Sequence, residues 1–192
     1  IKEKKTGIIS KLIQKVINNR FYLRLFKPYL YRRIRDGVMF AVENEMYPEV
    51  PIHDYIDKIK NEYDIVVFGY LQYMFSMKSV ETIAQKLKVP IFLSTIDMYL
   101  ATGGCYYFGD CDGYISGCKH CKYVSKKNQI VVKKNALYKK GILNMQNVSI
   151  IGNTWTSMVL NKSFVAREKK VYSGCILINE NIFRDLGFEY AR

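Results

Sequence analysis

Short runs of apolar, largely β-branched residues constrain the fold of this chain more than any other feature of its sequence. Runs that are apolar on both faces and are followed by Gly or Ser are typical of buried parallel strands. Stretches with helical periodicity separate them, and a strand-helix-strand order implies right-handed crossovers. The sequence therefore predicts an α/β fold with three to five parallel strands and helices on both faces of the sheet. The predicted strands lie at 65–69, 89–94, 148–152 and 175–178, and the predicted helices between them lie at 79–87, 137–145 and 157–160.

The composition is that of a globular protein whose charge is unevenly distributed. Of the 192 residues, 49% are hydrophobic and 24% are charged, which argues against a disordered chain. No apolar run reaches the roughly 18–20 residues that a membrane-spanning helix needs, and we expect no secretory signal. The net charge of +13 is concentrated in residues 1–35, with 11 Lys or Arg, and in residues 119–140, with 8 Lys. This concentration indicates an oriented surface that faces an anionic partner.

Residues 1–35 form a basic amphipathic segment, and the globular domain is predicted to follow at 36–192. Apolar residues recur every three to four positions over 7–26, which predicts a helix, and a basic and aromatic piece continues after Pro28. Two interpretations are open: a helix that covers the core and exposes its basic face, or a helix that lies on an anionic membrane surface. The second assigns the membrane or anion contacts to Lys11, Lys15, Arg20, Arg24, Arg32 and Arg33.

The loop after the strand at 89–94 holds the first candidate binding residues. Ligands on parallel sheets bind at the carboxyl ends of the strands, where such loops leave the sheet. Asp97 lies there, and its carboxylate can accept a hydrogen bond from a sugar hydroxyl or take part in proton transfer. Thr102, Gly103 and Gly104 follow, and the two glycines allow a ligand to approach the backbone closely. The alternative for Asp97 is a cap or turn residue.

Four cysteines come next, at Cys105, Cys111, Cys118 and Cys121. Four thiolates suit tetrahedral zinc, and the Cys-x2-Cys pair at the end has the short spacing of a metal knuckle. The first two spacings are longer than those of common zinc ribbons. A structural zinc site, unbound reduced cysteines and disulfides all stay open, although a reducing compartment makes disulfides the weakest of the three.

These residues together resemble a known family. The stretch at 97–107, DMYLATGGCYY, with DCDGY at 110–114 and GCKHC at 117–121, resembles the cysteine-bearing signature of family 4 glycosyltransferases. These are bacterial enzymes of capsule, O-antigen and exopolysaccharide assembly. Weaker similarities follow in the expected order at 64–72, 147–156 and 178–183.

The resemblance implies one half of a two-lobed fold (GT-B) with Rossmann-like halves. The amino-terminal half binds the acceptor, a glycan or a lipid-linked sugar, at the inner face of the cytoplasmic membrane. A nucleotide sugar is then expected only with a carboxyl-terminal donor-binding domain or a separate subunit, because the chain stops at Arg192, close to the interdomain segment. The catalytic residue would be Asp97, and the acceptor-binding residues would be Tyr70, Gln72, Thr102, Gly103, Gly104 and Tyr106.

Departures from the family pattern leave the activity open. Ile96, Tyr106 and the pair Gly69-Tyr70 stand where the family usually has histidine or a His-Trp pair, and the glycine-rich opening strand has no match here. A hexosyltransferase half is the first interpretation, and a non-catalytic partner subunit of a two-chain enzyme is the second. A zinc-knuckle module that binds nucleic acid is a third, against which the apolar parallel strands count.

Overall fold

Two β-sheets and three α-helices make up the described part of the chain. The computed structural model describes residues 31–35, 38–42, 45–46, 52, 56–57, 62–69, 71 and 75–174. The strands are β1 (Tyr31–Arg35), β2 (Val38–Val42), β3 (Val66–Phe68), β4 (Ile91–Thr95), β5 (Cys105–Phe108), β6 (Val148–Gly152) and β7 (Val171–Ser173). The helices are α1 (Met77–Leu87), α2 (Lys126–Leu143) and α3 (Thr154–Lys162), with short 3-10 segments at Tyr99–Ala101 and Gly113–Ser116.

The larger sheet is parallel throughout, in the order β3-β4-β6-β7. Helices α1, α2 and α3 follow β3, β5 and β6 in the chain, so an α-helix separates each pair of consecutive strands of this sheet. This confirms the predicted α/β class and the predicted strands β3, β4 and β6. Strand β7 comes from residues that were not predicted as a strand, and the run at 175–178 lies outside the described residues.

One face of this sheet carries the core. Ile91 and Leu93 of β4 and Val148 and Ile150 of β6 are fully buried, whereas the alternate residues of both strands are partly exposed. Each connection steps in the same direction across the sheet, and because such connections are almost always right-handed we expect α1, α2 and α3 on one face. Buried residues of all three helices join those of β4 and β6 in one core, and helices on both faces stay a prediction.

Hydrogen bonds from one side-chain amide hold the ends of these elements together. Asn147, just before β6, donates from Nδ2 to the carbonyl of Ala84 at 3.0 Å and to that of Val89 at 3.1 Å. Helix α1 ends at Lys88 in the left-handed conformation, with φ of 56°. The turn from α1 into β4 is therefore held from the neighbouring strand.

The smaller sheet is antiparallel, in the order β1-β2-β5. It corrects only the end of the segment predicted to be helical over 1–35, since residues 31–35 are a strand and residues 1–30 lie outside the described residues. Residues 31–35 form a strand whose last residue, Arg35, pairs with Val38 of β2. Only Asp36 and Gly37 separate the two strands in the sequence. Asp-Gly is a strong sequence signal for a two-residue hairpin, although here only the run after it is apolar. Residues 38–42, for which the sequence analysis predicted no strand, supply β2, and the cysteine loop supplies β5. Arg32 and Arg33 lie on β1, while Lys11, Lys15, Arg20 and Arg24 lie outside the described residues.

Helix α2 begins 11 residues earlier than the predicted helix at 137–145 and contains several of the lysines that were predicted to form a basic surface. One of them, Lys139, is completely buried. Lys140 and, before the helix, Lys122 form ion pairs with Glu168 and Asp110. The stretch at 119–140 is therefore not a uniformly solvated basic face. No described helix combines the length and the apolar content needed to cross a bilayer.

A buried ion pair joins α2 to the segment that precedes β3. Lys139 Nζ lies 3.3 Å from Glu45 Oε1, and the two side chains are 0% and 3% exposed. Lys139 Nζ also donates to the carbonyl of Tyr99 at 2.8 Å and lies 3.4 Å from the centre of the Tyr99 ring. The pair thus brings three distant parts of the sequence into one polar cluster.

The carboxylate of Glu45 also accepts a hydrogen bond from the first turn of α1. Glu45 Oε2 accepts hydrogen bonds from the backbone N–H of Met77 at 3.0 Å and from the hydroxyl of Tyr99 at 2.6 Å. The Glu45 carbonyl accepts from the N–H of Lys78, and its own N–H donates to Asn135 Oδ1. A negative charge at a helix N-terminus is favourable because it meets unpaired N–H groups and the positive end of the helix dipole.

We expect Lys139→Met to destabilise the protein by about 3–5 kcal/mol, because the substitution leaves the Glu45 carboxylate buried without its cation. The double variant Glu45→Gln/Lys139→Met should be more stable than Lys139→Met alone, since it removes the orphaned charge and keeps a carbonyl acceptor for Met77. Urea unfolding of the four proteins of this double-mutant cycle measures the coupling. Additive effects of the two substitutions would contradict the buried pair.

Candidate functional site

A depression lies at the carboxyl ends of β3 and β4, where the sequence predicted a binding site. Parallel strands end at the same edge of a sheet, so the loops that follow them converge there. The chain leaves β4 through the 3-10 turn at Tyr99–Ala101, which forms one wall. The lining residues are Gly69, Leu71, Ser94, Thr95, Ile96, Asp97, Tyr99 and Leu100.

Asp97 lines this depression and also shapes the loop. Its Oδ1 accepts a hydrogen bond from the backbone N–H of Tyr99 at 2.9 Å, and its carbonyl accepts one from the hydroxyl of Thr95 at 2.8 Å. A carboxylate that binds the N–H two residues later is a local turn interaction of the kind favoured by Asp. The structure therefore gives Asp97 the turn role that was the alternative interpretation, at a position that still borders the depression.

Thr102, Gly103 and Gly104 lie away from the depression, under helix α2. The Thr102 hydroxyl donates to the carbonyl of Cys105 at 2.7 Å and accepts from the N–H of Cys105 at 2.8 Å, which closes the turn into β5. A Cβ on Gly103 would lie 2.2 Å from the carbonyl oxygen of Val132 in α2. Gly103 is thus explained by close packing of the helix on the loop and not by the approach of a ligand.

Of the remaining predicted acceptor-binding residues, one lies in the core and two lie outside the described residues. Tyr106 is buried, and its ring stacks on that of Tyr99 with the ring centres 5.7 Å apart. Tyr70 and Gln72 lie outside the described residues. The structure therefore brings only Asp97, of the predicted catalytic and acceptor residues that it describes, to the edge of the depression.

The four cysteines meet in one small pocket beneath β5 and α2. All four are free thiols, and together with Thr102, Gly104, Phe108, Gly113, Tyr114, His120 and Val132 they line a cavity of about 10 Å³. Backbone N–H groups approach two of the sulfurs: that of Gly103 is 3.4 Å from Cys118 Sγ, and that of Gly113 is 3.4 Å from Cys111 Sγ. The chain reverses direction at Gly117 and Cys118, which both have positive φ, and this turn brings Cys118 and Cys121 back to the pocket.

Burial makes these thiols weak acids. Loss of solvation raises the pKa of Cys118 to about 11, and it also raises the pKa of Cys105 and of Cys121 above the usual thiol value. The neighbouring cysteines reinforce the shift at Cys105, because a second negative charge nearby is unfavourable. At neutral pH these buried thiols are protonated, whereas a metal ion binds thiolates.

Cysteine sulfurs are suitable ligands for zinc, but the four sulfurs are not arranged as a zinc site in this structure. Across the described residues, no three or more His, Cys, Asp or Glu side chains converge as a group that could hold a metal ion. Zinc binding would require the sulfurs to move together and to lose protons.

Two aromatic residues that the sequence analysis did not assign to a site lie exposed at the same edge of the sheet. Tyr107 of β5 and Trp155 of α3 stack on each other, with ring centres 6.2 Å apart and an angle of 19° between the planes. Asn153 caps α3 by accepting from the N–H of Thr156 at 2.8 Å. No local pattern could have indicated this pair, because the two residues come from separate elements.

The comparisons with known proteins leave the family open. No protein-family model matches the chain, and neither a curated protein nor a solved structure matches it significantly. The function must therefore be argued from the geometry of the site.

Gly103→Ala should destabilise the protein by at least about 1–3 kcal/mol, because its methyl group would overlap the Val132 carbonyl. Gly141→Ala is the matched control: Gly141 lies in α2 with open space around it, and alanine there should stabilise the helix by roughly 1 kcal/mol. Thermal and urea unfolding measure both changes. Equal stabilities for the two variants would contradict the close contact of loop and helix.

Iodoacetamide should label Cys111 before the other three cysteines of the pocket when a chelator keeps metal away. Cys111 is the partly exposed member, whereas burial and the raised pKa values keep Cys105, Cys118 and Cys121 protonated and covered. Peptide mass spectrometry after timed labelling at pH 8 gives the order. Labelling of Cys118 as fast as that of Cys111 would show that the pocket is open.

Proposed function

We propose that this chain is the acceptor-binding half of a glycosyltransferase that transfers sugar from a nucleotide sugar to a lipid-linked or polysaccharide acceptor in cell-surface glycan assembly. The observation that carries the proposal is the depression at the carboxyl ends of β3 and β4, bordered by the Asp97 loop. This is the position at which parallel α/β sheets bind ligands. The resemblance of residues 97–121 to family 4 glycosyltransferases supports the same assignment.

The chemistry of the lining favours a sugar. Hydroxyl groups of Ser94 and Thr95 and the Asp97 carboxylate lie beside the apolar Leu71 and Leu100. A few polar groups on a largely apolar concave surface are typical of sites that orient a small ligand by hydrogen bonds. Sugar hydroxyls both donate and accept, so hydroxyl and carboxylate side chains suit them. We propose that Asp97 accepts a hydrogen bond from the acceptor hydroxyl.

The described lining contains no Lys, Arg or His. A phosphate group would lack a cationic partner there, so the sugar end of the acceptor is the part that suits the depression. The proposal accordingly assigns the nucleotide sugar to a carboxyl-terminal domain or to a separate subunit. A non-catalytic subunit of a two-chain enzyme would use the same acceptor surface.

The membrane part of the proposal depends on the first 35 residues. Eleven Lys or Arg there would attract anionic lipid, whereas part of the later lysine stretch is engaged within the protein. We propose peripheral attachment at the inner face of the membrane. Sedimentation with vesicles that contain phosphatidylglycerol should retain the chain, and salt should release it, whereas equal retention by phosphatidylcholine vesicles would contradict this part.

A structural zinc on the four cysteines is a separate part of the proposal. Elemental analysis of the native protein should find about one zinc per chain, and binding should strengthen as the pH rises because the thiols must lose protons. A metal-free protein whose unfolding is unchanged by added zinc would contradict it. The nucleic-acid alternative receives less support, since the cysteine segment packs into the α/β domain and forms no ribbon of its own.

Gly69→Leu should abolish glycan binding without unfolding the protein. Gly69 borders the depression, and a Cβ there meets nothing within 4 Å, so a larger side chain can fill the space that an acceptor would occupy. The control is Gly141→Leu, at the other exposed glycine with open space, which should bind like the original chain. Binding to an array of bacterial surface glycans is the measurement. Absence of binding by the original chain, or equal binding by Gly69→Leu, would contradict the proposed function.

A further inference from the structure

Tyr107 and Trp155 place two exposed aromatic rings side by side. The residues are 43% and 47% exposed, although their rings stack on each other. Stacking covers the inner faces of such a pair, so the exposed area belongs mainly to the outer faces and the edges. Clustered apolar surface of this kind is typical of interaction sites on soluble proteins.

The pair adjoins the depression through the end of β4. Trp155 lies in the first turn of α3, and the hydroxyl oxygen of Thr156, the next residue, lies 3.5 Å from the carbonyl oxygen of Thr95. Thr95 and Ile96 line the depression. On the other side, Tyr107 follows Tyr106, whose carbonyl accepts a hydrogen bond from the N–H of Met98 in the same loop. The aromatic pair and the depression thus both border the loop that follows β4.

We infer that Tyr107 and Trp155 form a stacking surface for a neutral pyranose ring, which gives the acceptor a second binding position beside the depression. This inference rests on the proposed function. The C–H groups on one face of a pyranose carry partial positive charge, and the face of an aromatic ring is negative, so the two surfaces attract each other as they exclude water. Indole and phenol rings supply this contact with few rotatable bonds to fix.

A nucleobase also stacks on aromatic rings, but a nucleotide brings phosphate groups that require cations. The described lining of the adjoining depression contains no cation and one carboxylate, that of Asp97. A neutral chain of sugars therefore suits the combined surface better than a nucleotide or a single-stranded nucleic acid.

The experiment uses the fluorescence of Trp155, which is the only tryptophan of the chain. The protein is titrated with maltotetraose, cellotetraose and mannotetraose, and separately with UMP and a dT15 oligonucleotide. We expect a saturable change in emission with at least one tetrasaccharide and none with UMP or dT15. Tyr107→Ala should lower the affinity for the tetrasaccharide that gives the response by roughly tenfold.

Tyr172→Ala is the matched control. Tyr172 is 44% exposed, close to the value for Tyr107, and it also contacts an aromatic ring, that of Phe92. It lies on β7, away from the depression lining, so its substitution should leave the titration unchanged. Unfolding of both variants in urea confirms that the comparison is between folded proteins.

Three results would overturn the inference. A response to UMP or dT15 in place of the sugars would show a different ligand class. Equal affinities for Tyr107→Ala and the original chain would show that the rings do not contribute. Absence of any response to the tetrasaccharides would exclude a neutral-sugar surface at Trp155, and glycan-array binding that Gly69→Leu abolishes would then show that the proposed function holds without it.

Discussion

The buried contact between Glu45 and Lys139 is the interaction on which the described structure depends most. Two charges removed from water are tolerated only when each has a partner and further hydrogen bonds, and both conditions are met here. The pair holds the first turn of α1, the loop after β4 and the carboxyl-terminal part of α2 at fixed positions. That loop borders the depression, so the geometry of the proposed acceptor site follows from a charge pair that lies behind it.

The cysteine pocket and the depression lie on opposite sides of the same loop and have different roles in the fold. Thr102 and Gly103 face the pocket and α2, and their polar groups are satisfied within the protein: Gly103 donates to Cys118 Sγ, and its carbonyl accepts from Asn135. Asp97 faces the depression. A sequence motif that resembles a catalytic signature is therefore largely a packing motif in this chain, and its exposed consequence is the shape of one edge of the sheet.

The sequence was sufficient to predict the parallel sheet but not the contacts across it. Strands β3, β4 and β6 follow from their short apolar, largely β-branched runs, which are a local signal in the sequence, although one face of these strands stays partly exposed. The hairpin of β1 and β2 also had a local signal, Asp36-Gly37, which the basic pattern around it obscured. The role of Gly103 and the burial of Lys139 had none, because each is set by a residue far away in the chain. A lysine among seven others is expected in solvent, and only the position of Glu45 decides otherwise.

The separation of the charged partners in the chain has a consequence for the order of folding. Asn135, which binds the backbone of Glu45, comes 90 residues after it, and Lys139 comes later still. During synthesis Glu45 leaves the ribosome long before its cation exists, so it must stay hydrated while β3, α1 and β4 emerge. The carboxylate can become buried only when α2 arrives. Formation of this ion pair is therefore a long-range step that requires α2, and its loop-closure cost reflects that sequence separation.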